Sequence, residues 1–165
     1  MKEIDFTLEG IYKESESFCR VREKAMVYLS YSDHTLKSMR EKLSENGFES
    51  DEINEVLKYL VKRGYINEKA YFERFCNYCA LKKGWGSRRI ETEAYKKGFA
   101  KKTVEDNSEA VFGAIDFDEI CREQLIKKKT DFSDKKSRDK AISSLIRLGF
   151  TLSQIKEAIN NIKEE

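Results

Sequence analysis

A cysteine pair, a lone histidine and two glycines flanking the sole tryptophan are the groups whose types and spacing could do chemistry in this chain. Cys76 and Cys79 form a C-x-x-C, the spacing that grips zinc when two further ligands converge on it. There is no second such pair and His34 is the only histidine, so the cysteines read as packed apolar side chains. A redox role would place the pair at a helix start in a βαβ pattern, which is missing. Gly84-x-Gly86 lacks the lysine and hydroxyl spacing of a phosphate-cradling loop and the strand that precedes a dinucleotide site. Nucleophilic or acid–base catalysis needs a positioned base, and His34 beside Asp33 at an expected helix start reads as a surface residue. The sequence thus predicts no enzyme, no metal and no cofactor.

The chemistry it does suggest is the binding of anions. In Lys83-Gly84-Trp85-Gly86-Ser87-Arg88-Arg89, two glycines free the backbone and an aromatic ring sits between cations. Ser87 can cap a helix whose first turn carries both arginines, reinforcing that end's positive potential at some cost in stability. From Lys82 to Lys102 there are eight basic residues, among them Lys96 and Lys97, against the acids Glu91 and Glu93. From Arg122 to Lys140 eight more, including Lys127, Lys128, Lys129, Lys135, Lys136 and Arg138, outnumber Glu123, Asp131, Asp134 and Asp139. Between Glu41 and Leu57 the sign reverses, six acids meeting only Lys42. The whole chain carries a net charge of only +2, so attraction to an acidic partner must come from where the charges sit. Lys83, Trp85, Arg88, Arg89, Lys96, Lys97 and the six cations from Lys127 to Arg138 are the candidate contacts to phosphates or an acidic protein; the plainer reading is a solvated helix surface.

Elements that could position these residues emerge from an internal repeat. Gly47-Phe48, Gly98-Phe99 and Gly149-Phe150 recur every 51 residues, and the register holds on both sides of each pair. Met39, Ile90 and Ala141 are equivalent, as are Leu43, Ala94 and Leu145, then Ile53, Val104 and Ile155, then Leu60, Val111 and Ile162. Spacings of three and four residues within each copy are helical. Each glycine suits the left-handed position that ends a helix, and the phenylalanine folds back on the preceding turn. Ser50 and Thr151 are expected to start third helices, Thr151 with Gln154 as a capping box. Expected helices span about 15–30, 33–46, 51–63, 67–83, 87–97, 102–115, 118–129, 134–148 and 152–163. The resulting fold is all-α: three tandem three-helix repeats at 15–66, 67–117 and 118–165, stacked into an elongated, curved molecule because each unit alone buries little. Residues 1–14 form an arm outside the repeat; Ile4, Phe6 and Leu8 alternate as in a short strand or a loose segment.

Of 165 residues, 38% are charged and 39% hydrophobic, a mix that suits a soluble helical protein. No run is apolar enough to span a membrane and residues 1–12 lack signal-peptide features, so a cytoplasmic protein with reduced cysteines is expected. Proline is absent, leaving glycines and capping side chains to end helices.

Several stretches resemble the RecX family, bacterial modulators of the RecA recombinase. The likeness runs from about Ala25 to Ile162 and is carried by Ala25-Met26-Val27-Tyr28-Leu29, by Leu36 through Leu43 with Gly47-Phe48, and by Arg63-Gly64-Tyr65-Ile66-Asn67 with Ala70-Tyr71-Phe72. Its most specific part is Lys83 through Ile90, followed by Lys96-Lys97-Gly98-Phe99. The resemblance implies three tandem three-helix repeats and a monomer that binds along the RecA nucleoprotein filament, inhibiting its ATPase, recombination and SOS coprotease activities. It also implies that single- or double-stranded DNA can be a direct partner, and the rival reading is a DNA-binding helical module acting without RecA. Two departures stand out: Ser87 occupies a position where the family commonly has proline, and Asn67-Glu68 one where it has an acidic pair.

Overall fold

The computed structural model describes residues 15–164, so the expected arm at 1–14, with Ile4, Phe6 and Leu8, lies outside the described residues. Among them are nine α-helices and no strand: α1 (Glu16–Tyr31), α2 (Leu36–Glu45), α3 (Ser50–Lys62), α4 (Glu68–Leu81), α5 (Ser87–Lys97), α6 (Lys101–Gly113), α7 (Phe117–Lys127), α8 (Lys135–Leu148) and α9 (Leu152–Glu164). Each falls where the 51-residue period places it. None is long and apolar enough to cross a membrane.

The chain divides into two compact units, Met1–Asn67 and Glu68–Glu165. In the first, α1, α2 and α3 pack pairwise around Phe18, Val21, Ala25, Met39, Leu43, Ile53 and Leu60. In the second, α4–α6 and α7–α9 each form a three-helix bundle, and α4 also packs on α7. Both bundles share one continuous core that includes Phe72, Ile90, Phe99, Cys121, Leu125, Leu145 and Phe150. The repeat register is a burial register. Met39, Ile90 and Ala141 are all buried, as are Leu43, Ala94 and Leu145, and Ile53, Val104 and Ile155. It loosens at the last position, where Leu60 is buried but Val111 and Ile162 only half so.

The glycine-phenylalanine turns have the expected geometry. Gly47, Gly98 and Gly149 take φ of +80°, +92° and +96°. The next phenylalanine N–H then reaches the carbonyl five residues back, Phe99 to Ala94 at 3.2 Å and Phe150 to Leu145 at 3.2 Å. Thr151 and Gln154 cap α9 reciprocally, with Thr151 N–H on Gln154 Oε1 at 3.0 Å and Gln154 N–H on Thr151 Oγ1 at 3.2 Å. Two expected caps differ. Ser50 is the first helical residue of α3 and Glu49 its cap, with the Glu49 N–H donating to Glu52 at 3.4 Å. Ser87 likewise lies inside α5, whose cap is Gly86. In each case the helix begins one residue earlier than the hydroxyl suggests. His34, expected at the surface, is half-buried against Tyr28, and its Nδ1 lies 3.1 Å from Ser38 Oγ.

Cys76, Cys79 and Cys121 are buried, and Cys19 is half-buried. Burial pushes the Cys76 and Cys121 thiols up to about 12, and it also raises Cys79 despite the opposing charges of Lys83, Lys97 and Arg89. Only thiolates react quickly with disulfide reagents. At pH 8 the native protein is therefore expected to titrate one thiol rapidly, Cys19, and all four only after denaturation; fast reaction of two or more native thiols would contradict this packing.

Candidate binding surface

The Lys83–Arg89 loop starts as the end of α4. Gly84, at φ +64°, donates its N–H to Ala80 O at 3.1 Å, and Trp85 donates to Cys79 O at 3.1 Å. The loop is not freed by its glycines, as the sequence reading had it, but clamped. A Cβ on Gly84 would lie 2.2 Å from Gln124 Nε2 of α7. One on Gly86 would lie 2.4 Å from both the carbonyl carbon and the oxygen of Gly149. The Gly86 N–H donates to Leu148 O at 2.8 Å, tying the loop to the turn between α8 and α9. Gly86 lets backbone meet backbone where the two bundles of the second unit join, and Gly84 leaves room for the Gln124 side chain.

This clamp fixes Trp85. The indole is half-buried against the shared core. Two cations sit over it: Arg89 Cζ is 4.2 Å and Lys83 Nζ 4.4 Å from the ring centroid. Each such contact is worth about 0.5–1 kcal/mol at a partly exposed site. The ring therefore gathers positive charge at a defined place. Lys97 adds a third cation, its Nζ 5.8 Å from Tyr71 and 6.0 Å from Phe75.

Three grooves arrange the charge. The first is lined by Phe75, Lys83, Trp85, Glu93, Lys96 and Lys97. The second holds Arg88, Arg89, Thr92, Glu93, Ile146, Arg147 and Gly149. The third, along α8, holds Lys128, Thr130, Ser137, Lys140, Ala141, Ser144 and Arg147. Glu93 is common to the first two and Arg147 to the last two, so the grooves adjoin in one cationic track from the Trp85 loop to α8. Arg89 Nη1 also donates to the Arg147 carbonyl at 3.5 Å.

The expected contacts separate on this map. Lys83, Trp85, Arg88, Arg89, Lys96, Lys97 and Lys128 line the track. Lys127, Lys129, Lys135, Lys136 and Arg138 line none of these grooves. Lys127 is paired with Glu123 at 3.1 Å, and Lys135 and Lys136 project from the first turn of α8. Lys96 is partly neutralised by Glu93 at 2.8 Å, and that hydrogen bond, helped by Arg89 and Lys83, holds the Glu93 carboxyl below its ordinary range. Ser144 and Arg147 were missed, and Lys140, which ends the second basic stretch, was not among the named contacts. A signal was available in the repeat: these positions correspond to Arg89, Glu93 and Lys96 of α5. Where α5 carries a carboxylate, α8 carries a serine.

The family described as "RecX, first three-helix domain" matches residues 22–60. Over 162 residues the chain is 26% identical to the regulatory protein RecX of Streptococcus uberis, covering 96% of this chain and 61% of that protein. It is 25% identical over 163 residues to the regulatory protein RecX of Salmonella newport, covering 90% of this chain and 95% of that one. The chain is thus similar to RecX regulatory proteins along most of its length. It spans little more than half the length of the streptococcal relatives, 61% and 55% in two of them. The crystal structure of RecX from Lactobacillus salivarius has the same fold, with a TM-score of 0.80 at 23% identity over 91% of this chain and 99% of that one.

The two departures from the RecX pattern now have physical readings. Ser87 is the first residue of α5, where proline's fixed φ would suit and its missing N–H would cost nothing, so serine gives up only some rigidity. The acidic contact at Glu68 is kept: its Oε2 accepts from Thr103 Oγ1 at 3.0 Å and from the Ala100 N–H at 3.4 Å, serving an α6 start that has no side-chain cap of its own.

Proposed function

We propose that this chain is a regulatory protein that binds a RecA nucleoprotein filament and lowers its ATPase, recombination and SOS coprotease activities. It acts in the cytoplasm as a monomer and catalyses no reaction itself. The observation that carries the reading is the cationic track. It gathers Lys83, Arg88, Arg89, Lys128, Lys140 and Arg147 along adjoining grooves of one unit, with Glu93 the one carboxylate among their lining residues. Cations so concentrated repel one another, and an anionic surface relieves that repulsion. A filament on DNA offers phosphates and acidic side chains together, which suits a track holding both forked guanidinium groups and a cation-loaded indole. The relatives' description as regulatory proteins, and the absence of a catalytic constellation in the sequence, agree with it.

The test is the ATPase rate of RecA on single-stranded DNA, titrated with the native chain and with Arg88→Glu/Arg147→Glu. Both side chains are exposed, so the double variant is expected to keep its helix content and lose inhibition by tenfold or more in the concentration needed. Arg89 is a poorer choice, because its reversal also removes the contact with Trp85. No inhibition by the native chain would reject the proposal.

A second reading, direct binding to nucleic acid without RecA, is favoured by the α8 groove, whose lining has hydroxyls and cations but no acid. Its mark would be binding to a bare oligonucleotide that falls steeply with salt while the ATPase of RecA stays unchanged.

A further inference from the structure

The first unit carries a groove of different chemistry. It lies between α2 and α3, lined by Leu36, Arg40, Asn54, Leu57, Lys58, Val61 and Lys62, and its accessible lining is mostly apolar. Val61 is 45% exposed, a large share for a branched aliphatic side chain. Arg40, Lys58 and Lys62 rim it, and no carboxylate is among the lining residues. Arg40 Nη1 donates to Asn54 Oδ1 across the groove, which orients its guanidinium there. This is the reverse of the acidic character that residues 41–57 lend the repeat as a whole.

The fold does not demand this arrangement. One period on, the positions of Leu36, Arg40, Asn54, Leu57, Lys58, Val61 and Lys62 are held by Ser87, Glu91, Glu105, Ser108, Glu109, Phe112 and Gly113. The same two-helix architecture forms there with glutamates in place of Arg40 and Lys58, a glycine in place of Lys62, and a further glutamate in place of Asn54. Lys62 alone could be credited to the helix dipole, since it lies in the last turn of α3. Arg40 and Lys58 are not at helix C-termini, so the dipole does not account for them.

From the apolar floor and the cationic rim we infer that this groove docks an amphipathic helix of a partner protein, one whose apolar stripe is flanked by glutamates or aspartates. A cleft between two helices accepts the ridge of a third, and Leu36, Leu57 and Val61 would receive its apolar side chains. The rim would meet its carboxylates, choosing the partner by charge and leaving basic or neutral helices unbound. This inference concerns the first unit and does not depend on the recombinase reading.

The experiment uses the full chain and a fluorescein-labelled 18-residue helical peptide with leucines at every third and fourth position between glutamates. Anisotropy is followed against the native chain and Lys58→Glu/Lys62→Glu. Saturable binding weakened at least tenfold by the double variant, and recovered by a peptide with lysines in place of its glutamates, is the expected result. Equal binding of both peptides to the native chain, or no effect of the double variant, overturns it. Sedimentation of the chain alone supplies the remaining arm: a dimer that the double variant dissolves would mean that the groove takes a second copy, and the inference of a foreign partner would fail.

Discussion

Gly86→Ala is expected to destabilise the second unit by about 3 kcal/mol, the upper end of the range for an overpacking that no rotamer change relieves. The added methyl would stand 2.4 Å from the Gly149 carbonyl carbon and 2.6 Å from the Phe150 nitrogen. All the obstructing atoms are backbone, so one bundle must move against the other. Gly149→Ala should be as damaging for two reasons: its Cβ would meet Arg89 N at 2.4 Å, and its φ of +96° is strained for any residue with a side chain. For a unit of about 100 residues such a loss lowers Tm by roughly 12–24 °C. Trp85 is the only tryptophan and lies in the second unit, so its fluorescence reports that unit's unfolding alone. The control is Gly113→Ala in α6, where a Cβ meets nothing within 4 Å; it should leave stability unchanged or raise it by up to about 1 kcal/mol. If Gly86→Ala melts like the Gly113 control, the close approach of the two bundles is wrong.

That contrast between glycines marks what was legible in the sequence. The three Gly-Phe pairs announced themselves by period, because a left-handed helix end followed by a buried aromatic is a local device written in two adjacent residues. All nine helices followed from them. Gly84 and Gly86 were seen but misread as loosening the loop, because the atoms that require them, Gln124 and Gly149, lie some 40 and 63 residues further along. Spacing in sequence carries no trace of that approach. The partial burial of Trp85 was hidden as well, because the packing of its ring against the core is not written in its two flanking glycines.

The candidate surface was legible as charge but not as geometry. Counting cations found both basic stretches, yet the count gave Lys127 and Lys135 the same weight as Arg88. Only packing shows that Lys127 is engaged by Glu123 and that Lys128 turns into a groove. Arg147, which joins the α5 and α8 grooves, lies beyond both stretches, in the last turn of a helix where a cation already has a reason to be. It became visible as a candidate because its carbonyl accepts from Arg89 and its side chain lines two grooves.

Ser144→Glu turns that geometry into the sharpest binding prediction. The substitution gives α8 the carboxylate that α5 has at Glu93, where it bridges Lys96 three residues on at 2.8 Å. In α8 the new carboxylate would face Arg147 three residues on and Lys140 four residues back, the two cations that line the groove with Lys128. Helix stability should not fall, since glutamate is a better helix former than serine and gains a pairing worth about 0.2–0.5 kcal/mol. Affinity for a single-stranded oligonucleotide at low salt should fall at least tenfold. If both cations are taken from the phosphates, the slope of log affinity against log salt should shrink by about 1.4, at roughly 0.7 per phosphate contact on a single strand. Glu93→Ser should act in the opposite direction by releasing Lys96. Stability and binding are thus expected to move with opposite signs, which no unfolding artefact can imitate. An unchanged salt slope in Ser144→Glu would remove the α8 groove from the binding surface and leave the Trp85 loop to act without it.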